Sequence, residues 1–84
     1  QRYINYESED LTDEQWEFEF RTRLRNIMKR KFISQKELAK RIGTTQAMIS
    51  RYMTGQVMPS ARVIDKMARA LNCSTEDFFY RHFS

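Results

Sequence analysis

Five hydroxyl residues, each just ahead of a helix-forming run, constrain the fold of this 84-residue chain more than any other feature. Ser and Thr are favoured at helix N-caps because the side-chain oxygen accepts a hydrogen bond from a backbone N–H of the first turn. With two Gly and one Pro, the chain has few of the signals that join short strands. The pattern therefore predicts an all-α fold of five helices. The predicted caps are Thr12, Ser34, Thr45, Ser60 and Ser74.

Three of these caps also have a side chain three positions later that can bond back to the N–H of the cap residue, as in a capping box. The pairs are Thr12 with Gln15, Ser34 with Glu37 and Ser74 with Asp77. Leu11 is predicted to pack on Trp16 as a hydrophobic staple at the start of helix one. Gly43 and Gly55 are predicted to end helices two and three in the left-handed conformation.

The length and cysteine content indicate one small domain. A chain of 84 residues supplies one modest core. Cys73 is the only cysteine, so no intramolecular disulfide can form, and a small domain without one is typical of the cytoplasm. No apolar run approaches the roughly 20 residues of a membrane span. We therefore expect a cytoplasmic protein with no membrane partner.

Charge is distributed unevenly along the chain. Residues 1–19 hold seven acidic side chains and one basic one, for a net −6, whereas residues 20–84 hold fourteen basic and four acidic ones, for a net +10. We therefore divide the chain into an acidic N-terminal arm with an extension of helix one (1–19) and a basic helical domain (20–84). The basic domain favours a polyanion partner. For residues 1–19 three roles stay open: a solvated tail with extra helical turns, a dimer arm docked through Tyr3, Ile4 and Tyr6, or a segment that screens the basic face.

The connection between helices two and three is the most informative local feature. Only Gly43 and Thr44 separate the two helices, so the pair must cross steeply instead of lying antiparallel. Ala39 is small enough for the backbones to approach closely at the crossing. The spacing of Ala39, Gly43 and Ile49 predicts a helix-turn-helix in which helix three enters the DNA major groove.

The segment SQKELAKRIGTTQAMISRYMTG, followed by MPSARVIDKMARALNCSTEDFF, resembles the DNA-binding domain of the lambdoid phage repressor and Cro family over about residues 20–80. The resemblance implies a compact five-helix, repressor-like domain that binds operators as a homodimer. One departure stands out. Where many relatives have an internal arginine–glutamate pair, this chain has Met28 and Met53. Because two apolar side chains can replace a buried ion pair, we predict that Met28 and Met53 are in contact.

The chemistry of helix three predicts contacts to base edges. The amide of Gln46 can pair bidentately with adenine, and the methyl group of Ala47 suits a thymine methyl. Arg51 can bind either guanine or phosphate, and both alternatives stay open. In similar repressors a glutamine at the position of Gln35 binds a phosphate. The predicted base-reading residues are Thr45, Gln46, Ala47, Ser50 and Arg51, and the predicted phosphate-binding residues are Gln35, Lys36, Lys40, Thr44 and Arg62. Three basic residues of helix one are predicted to be solvated: Arg21, Arg23 and Arg25.

An enzyme is not predicted. The sequence has one histidine, His82, no cluster of metal ligands and no glycine-rich phosphate loop, so no cofactor, metal or small-molecule ligand is expected. We interpret the chain as a sequence-specific transcriptional regulator, a repressor of phage or bacterial type, that binds a double-stranded DNA operator as a homodimer. The alternative is a protein-interaction or antitoxin-type adaptor that uses the same helical fold. Aromatic residues near the C-terminus could supply its partner surface: Phe78, Phe79, Tyr80 and Phe83.

Overall fold

Helices and loops make up residues 12–79, the part of the chain that the computed structural model describes. The five helices are α1 (Asp13–Lys31), α2 (Gln35–Ile42), α3 (Gln46–Thr54), α4 (Ala61–Ala70) and α5 (Glu76–Phe79). No strand occurs between residues 12 and 79, and the all-α prediction is confirmed. Within the same range no helix is long and apolar enough to cross a membrane. Predictions that fall on residues 1–11 and 80–84, including Leu11 and His82, lie outside the described residues.

Four of the five predicted N-caps are confirmed, those at Thr12, Ser34, Thr45 and Ser60. The fifth is displaced, because α5 begins at Glu76 and the Ser74 hydroxyl accepts from the Glu76 N–H at 3.2 Å. Thr12 forms a complete capping box, in which its Oγ1 accepts from the Gln15 N–H at 3.1 Å and its own N–H donates to Gln15 Oε1 at 2.9 Å. Three further hydroxyls accept from the N–H three positions on, those of Ser34, Thr45 and Ser60. Before α5, the Asp77 carboxylate accepts from the Ser74 N–H at 3.0 Å. Each helix start is therefore specified within a few residues of sequence.

Only one of the two hydrogen bonds of the capping box predicted at Ser34 forms. Ser34 Oγ accepts from the Glu37 N–H at 3.0 Å. The Glu37 carboxylate does not reach back to the cap but pairs with Arg41 Nε, one turn further along α2, at 3.0 Å. A charged guanidinium is a stronger partner for a carboxylate than a neutral backbone N–H, which explains the difference.

Left-handed residues end the first three helices. Gly43 and Gly55 have φ values of 78° and 88°, as predicted. Phe32 ends α1 with φ 58°, and its side chain is 94% exposed. A bulky residue in this conformation was not predicted, because the region is normally occupied by Gly or Asn.

One core joins all five helices. Its most deeply buried side chains come from every helix: Phe20, Leu24, Leu38, Ile49, Met67, Leu71 and Phe78. Met28 and Met53 lie in the same core, at 5% and 7% exposure. Their direct contact remains a prediction. Trp16, at the start of the apolar stripe of α1, is still 42% exposed, although its ring lies 5.5 Å from that of Phe79 on α5.

The expectation that the arginines of α1 are solvated is wrong for Arg21 and Arg23, which are both half-buried, and incomplete for the exposed Arg25. Arg23 is half-buried; its Nε pairs with Glu19 at 2.9 Å, and its Nη1 donates to the Asp77 carbonyl at 3.4 Å. Arg25 Nη2 donates to the Met53 carbonyl at the end of α3, also at 3.4 Å. Because α1 packs against both α3 and α5, its basic side chains meet exposed carbonyl groups of those elements.

Candidate nucleic-acid interface

Helices α2 and α3 form the predicted helix-turn-helix. Ala39 is buried at their junction, and its carbonyl accepts from the N–H groups of Gly43 and Thr44. The small side chain allows this tight turn, while Gly43 supplies the left-handed residue that redirects the chain. On α3 the inward face is buried: Ile49, Tyr52 and Met53. The helix is therefore held against the core along one side only.

The opposite side of α3 carries the predicted base-reading residues. Gln46, Ala47 and Arg51 are exposed, and Ser50 is half-buried one turn after Gln46. The side chains of Gln46 and Arg51 make no hydrogen bond or ion pair with any other residue in the range 12–79. The hydroxyl of Thr45 accepts from the Met48 N–H at 3.1 Å, so its own O–H remains available as a donor to an external acceptor.

The predicted phosphate-binding residues lie on α2, on the turn that follows it and on α4, and they differ in exposure. Lys36 and Lys40 are exposed one turn apart on α2, and Arg62 is exposed in the first turn of α4. Gln35 and Thr44 are half-buried, each beside the start of a helix. Because α2 packs against both α3 and α4, these residues belong to neighbouring elements of the fold.

The helix N-termini differ in how much of their positive end is neutralised. The first turns of α2 and α5 contain acidic residues, namely Glu37 on α2 and the pair Glu76 and Asp77 on α5. The first turns of α3 and α4 contain none. Since the partial positive charge of a helix N-terminus attracts anions, the starts of α3 and α4 remain favourable for phosphate.

Comparison with known proteins also identifies a helix-turn-helix domain. The sequence pattern of the HTH_3 helix-turn-helix family matches residues 24–78, which is more than half of the chain. An HTH-type transcriptional regulator from Archaeoglobus fulgidus is 37% identical over 59 residues, covering 70% of this chain and 84% of the relative. The chain belongs to the HTH_3 helix-turn-helix family. It is a DNA-binding, transcription-regulator type of domain, as the resemblance to the repressor and Cro proteins implied.

Solved structures of the same family have the same fold. An HTH_3 family transcriptional regulator from Vibrio cholerae superimposes with a TM-score of 0.74 at 25% identity, over 80% of this chain. The present chain spans only 38% of that protein. The P22 c2 repressor, solved with a synthetic operator, superimposes with a TM-score of 0.65 at 24% identity, over 73% of this chain and 92% of the repressor. At that identity the likeness concerns the fold.

Two basic features of this helix-turn-helix domain were missed from the sequence. Arg41 bridges α2 and α4, because its Nε pairs with Glu37 while its Nη1 donates to the Ala70 carbonyl at 2.8 Å. Lys66 and Arg69 join Lys40 around an open cleft of about 580 Å³. A spacing signal for Lys66 was present, since it follows Arg62 by four positions on α4. The Arg41 contact had no local signal, because Ala70 is 29 positions away.

Side chains of metal-ligating type and a single thiol, that of Cys73, are also present among the described residues. Between residues 12 and 79 no three His, Cys, Asp or Glu side chains are grouped so that they could hold a metal ion. Burial raises the pKa of the Cys73 thiol above its ordinary value, and the nearby Asp77 carboxylate adds to this, whereas Lys31 and Arg30 oppose it. The thiol is therefore kept protonated at neutral pH, and its half-buried position against the core suits a packing role.

Proposed function

We propose that this domain binds a specific operator in double-stranded DNA as a homodimer and represses or otherwise regulates transcription from it. The observation that carries the proposal is the division of α3 into a buried face and an exposed face of unpaired polar side chains. Such a helix can enter the major groove without losing any contact of the folded domain. Binding to DNA of this kind also accounts for the cytoplasmic location expected from the sequence.

Base recognition is assigned to the exposed face of α3 and its cap. Gln46 donates and accepts hydrogen bonds with the N6 and N7 edge of adenine, while Ala47 packs on a thymine methyl. Arg51, one turn further on, is unpaired and long enough for either guanine or phosphate. The full proposed set is Thr45, Gln46, Ala47, Ser50 and Arg51.

Phosphate binding is assigned to residues around that face. The unneutralised starts of α3 and α4 favour phosphate near Thr44 and Arg62. Lys36 and Lys40 add mobile positive charges from α2, and Gln35 adds an amide at its start. These contacts position the domain on the duplex but do not select sequence.

A homodimer places two copies of α3 on adjacent half-sites. Half-sites one helical turn apart require the two helices to lie about 34 Å from each other. In this proposal the binding unit is residues 20–84, and residues 1–19 form a separate acidic arm with the first turns of α1. The alternative, an adaptor or antitoxin-type module, leaves the unpaired polar face of α3 without a role.

The decisive experiment is selection of bound sites from random duplex DNA, followed by measurement of stoichiometry on the selected site. We expect a two-fold symmetric site bound by two chains. On that site, Gln46→Ala should weaken binding by about 1–3 kcal/mol and relax selectivity at one base pair, since one bidentate contact is lost.

The matched control for Gln46→Ala is Asn26→Ala, which removes an exposed amide from α1. Its affinity for the selected site should equal that of the parent chain. Selection that enriches no sequence, or equal affinities for both variants, would show that α3 does not read DNA in the way proposed.

A further inference from the structure

An open apolar groove lies where α1, α4 and α5 meet, and DNA binding uses none of its residues. Its volume is about 670 Å³. The lining residues are Trp16, Ala61, Ile64, Thr75, Glu76 and Phe79. The ring centroids of Trp16 and Phe79 are 5.5 Å apart, so the two aromatic side chains form one continuous wall. Trp16 nevertheless keeps two-fifths of its surface exposed.

The start of α1 lies at this groove, because Trp16 is one of the lining residues. Thr12 and Gln15 make both bonds of a capping box. At such a helix start, a hydrophobic residue before the cap often packs against a hydrophobic residue four positions after the cap, which fixes the entry angle of the chain. In this sequence those two residues are Leu11 and Trp16. By this rule we expect Leu11 to lie against the indole of Trp16, which lines the groove.

The segment before Thr12 has the length and composition to continue across the groove. An extended chain of eleven residues spans up to about 36 Å, far more than the groove requires. The segment carries three further apolar side chains: Tyr3, Ile4 and Tyr6. Its three acidic residues are grouped between Tyr6 and Leu11 in the sequence, so the apolar side chains, and not the acidic ones, suit a groove that Glu76 also lines.

A tethered segment fits this groove better than a second copy of the domain does. The groove is lined by six residues, whereas a standard protein–protein interface needs roughly 20–30 residues on each side. A segment attached at Thr12 is already held close by the chain, so a small contact area is sufficient to hold it.

We propose that residues 3–11 of this chain dock in the groove formed by Trp16, Ala61, Ile64 and Phe79, with Leu11 against the indole of Trp16. Docking in this groove fixes the position of the N-terminal arm on the domain. The inference rests on the groove and on the capping box, and it is independent of the proposed operator binding.

Trp16 is the only tryptophan of the chain, so its fluorescence reports directly on the groove. In the 84-residue chain, Leu11→Asp should shift the emission to longer wavelength and raise the acrylamide quenching constant, because the indole becomes solvated. Phe18→Ala is the control, since Phe18 is 62% exposed on α1 and does not line the groove. Phe18→Ala should leave the emission wavelength and the quenching constant unchanged. Far-UV circular dichroism of each variant establishes that the helices are retained.

A second measurement keeps the proposal testable if Leu11→Asp unfolds the chain. Nuclear Overhauser contacts between the Leu11 methyl groups and the Trp16 ring are expected in the unmodified 84-residue chain, with no dependence on concentration. Their absence overturns the proposal. If the indole of Trp16 is protected from solvent at high protein concentration but not after dilution, the occupant of the groove is a second copy of the chain. A red shift after deletion of residues 80–84 but not in Leu11→Asp assigns it to the C-terminal segment. Either of these results also overturns the proposal.

Discussion

Phe32 has the least favourable backbone conformation among the described residues. Its φ of 58° places it in the left-handed region, where a side chain crowds the following carbonyl group. Its exposed ring recovers none of this cost through burial. Gly at the same position would end α1 without steric strain.

We predict that Phe32→Gly raises the free energy of unfolding by about 0.5–1 kcal/mol, because the relief of left-handed strain exceeds the added backbone entropy of glycine. Urea unfolding followed by circular dichroism measures the change. Phe32→Ala is the control, since alanine keeps the strain and should produce no comparable gain. Equal stabilisation by both substitutions would show that the exposed ring, and not the backbone, is the source of the effect.

Cys73 gives a prediction about alkaline pH. Its folded pKa is raised, so the contribution of the protonated thiol to stability is fully present below the ordinary value of 9.0 and is lost as pH rises through the folded value. The free energy of unfolding of the parent chain should therefore fall more steeply above about pH 9 than that of Cys73→Ala. Denaturation at several pH values measures this dependence. If the free energy of unfolding falls with pH at the same slope in both proteins, the raised pKa is contradicted.

At the scale of the helix, the boundaries could be predicted because their causes are local. The Ser and Thr caps, and the glycines after α2 and α3, act within one turn of the residues they affect. Contacts between helices could not be predicted in the same way. Arg23 reaches the Asp77 carbonyl across 54 positions, and Arg25 reaches that of Met53 across 28. No pattern within a helix indicates which carbonyl a neighbouring helix will present.

The same division between local causes and contacts between helices applies to the candidate site. The sequence alone identified the outward residues of α3, because the short turn and the helical period fix which face is left exposed. It did not identify the clamp that Arg41 makes between α2 and α4, because the Ala70 carbonyl becomes its partner only when the two helices pack. Nor did it indicate that Lys66 and Arg69 would lie with Lys40 around one cleft.

The cap of α3 should be worth about 1 kcal/mol to the folded state, since Thr45 satisfies a backbone N–H that would otherwise be unpaired. We predict that Thr45→Ala lowers the free energy of unfolding by about that amount, whereas Thr45→Ser, which keeps the hydroxyl, changes it by less than half as much. Thermal and urea denaturation of the three proteins provide the comparison. A loss of equal size in both variants would mean that the threonine methyl group, not the hydrogen bond, stabilises the helix start.

At the scale of the whole molecule, the proposed operator complex should be strongly dependent on salt. Three cations per chain are assigned to phosphate, namely Lys36, Lys40 and Arg62, which makes six in a homodimer. The logarithm of the association constant should then fall with the logarithm of salt concentration with a slope of about −5, since each neutralised phosphate contributes about −0.9.

Lys36→Gln should flatten this slope by nearly two units in the dimer, with similar weakening for all sequences, because one phosphate contact is lost from each chain. Lys29→Gln removes an equally exposed cation at the end of α1 and should leave the slope unchanged. Fluorescence anisotropy titrations at several salt concentrations give both slopes. If the two substitutions act alike, affinity depends on overall charge and the assigned contacts are wrong.

The separation of the two faces of α3 also bears on how such domains diverge. The buried side chains of Ile49, Tyr52 and Met53 hold the helix to the core. The side chains of Gln46, Ala47 and Arg51 are exposed and make no hydrogen bond or ion pair within residues 12–79. After gene duplication, the outward residues can accumulate substitutions under little constraint from folding. New recognition preferences can therefore arise in descendants of this sequence while the scaffold beneath them stays the same.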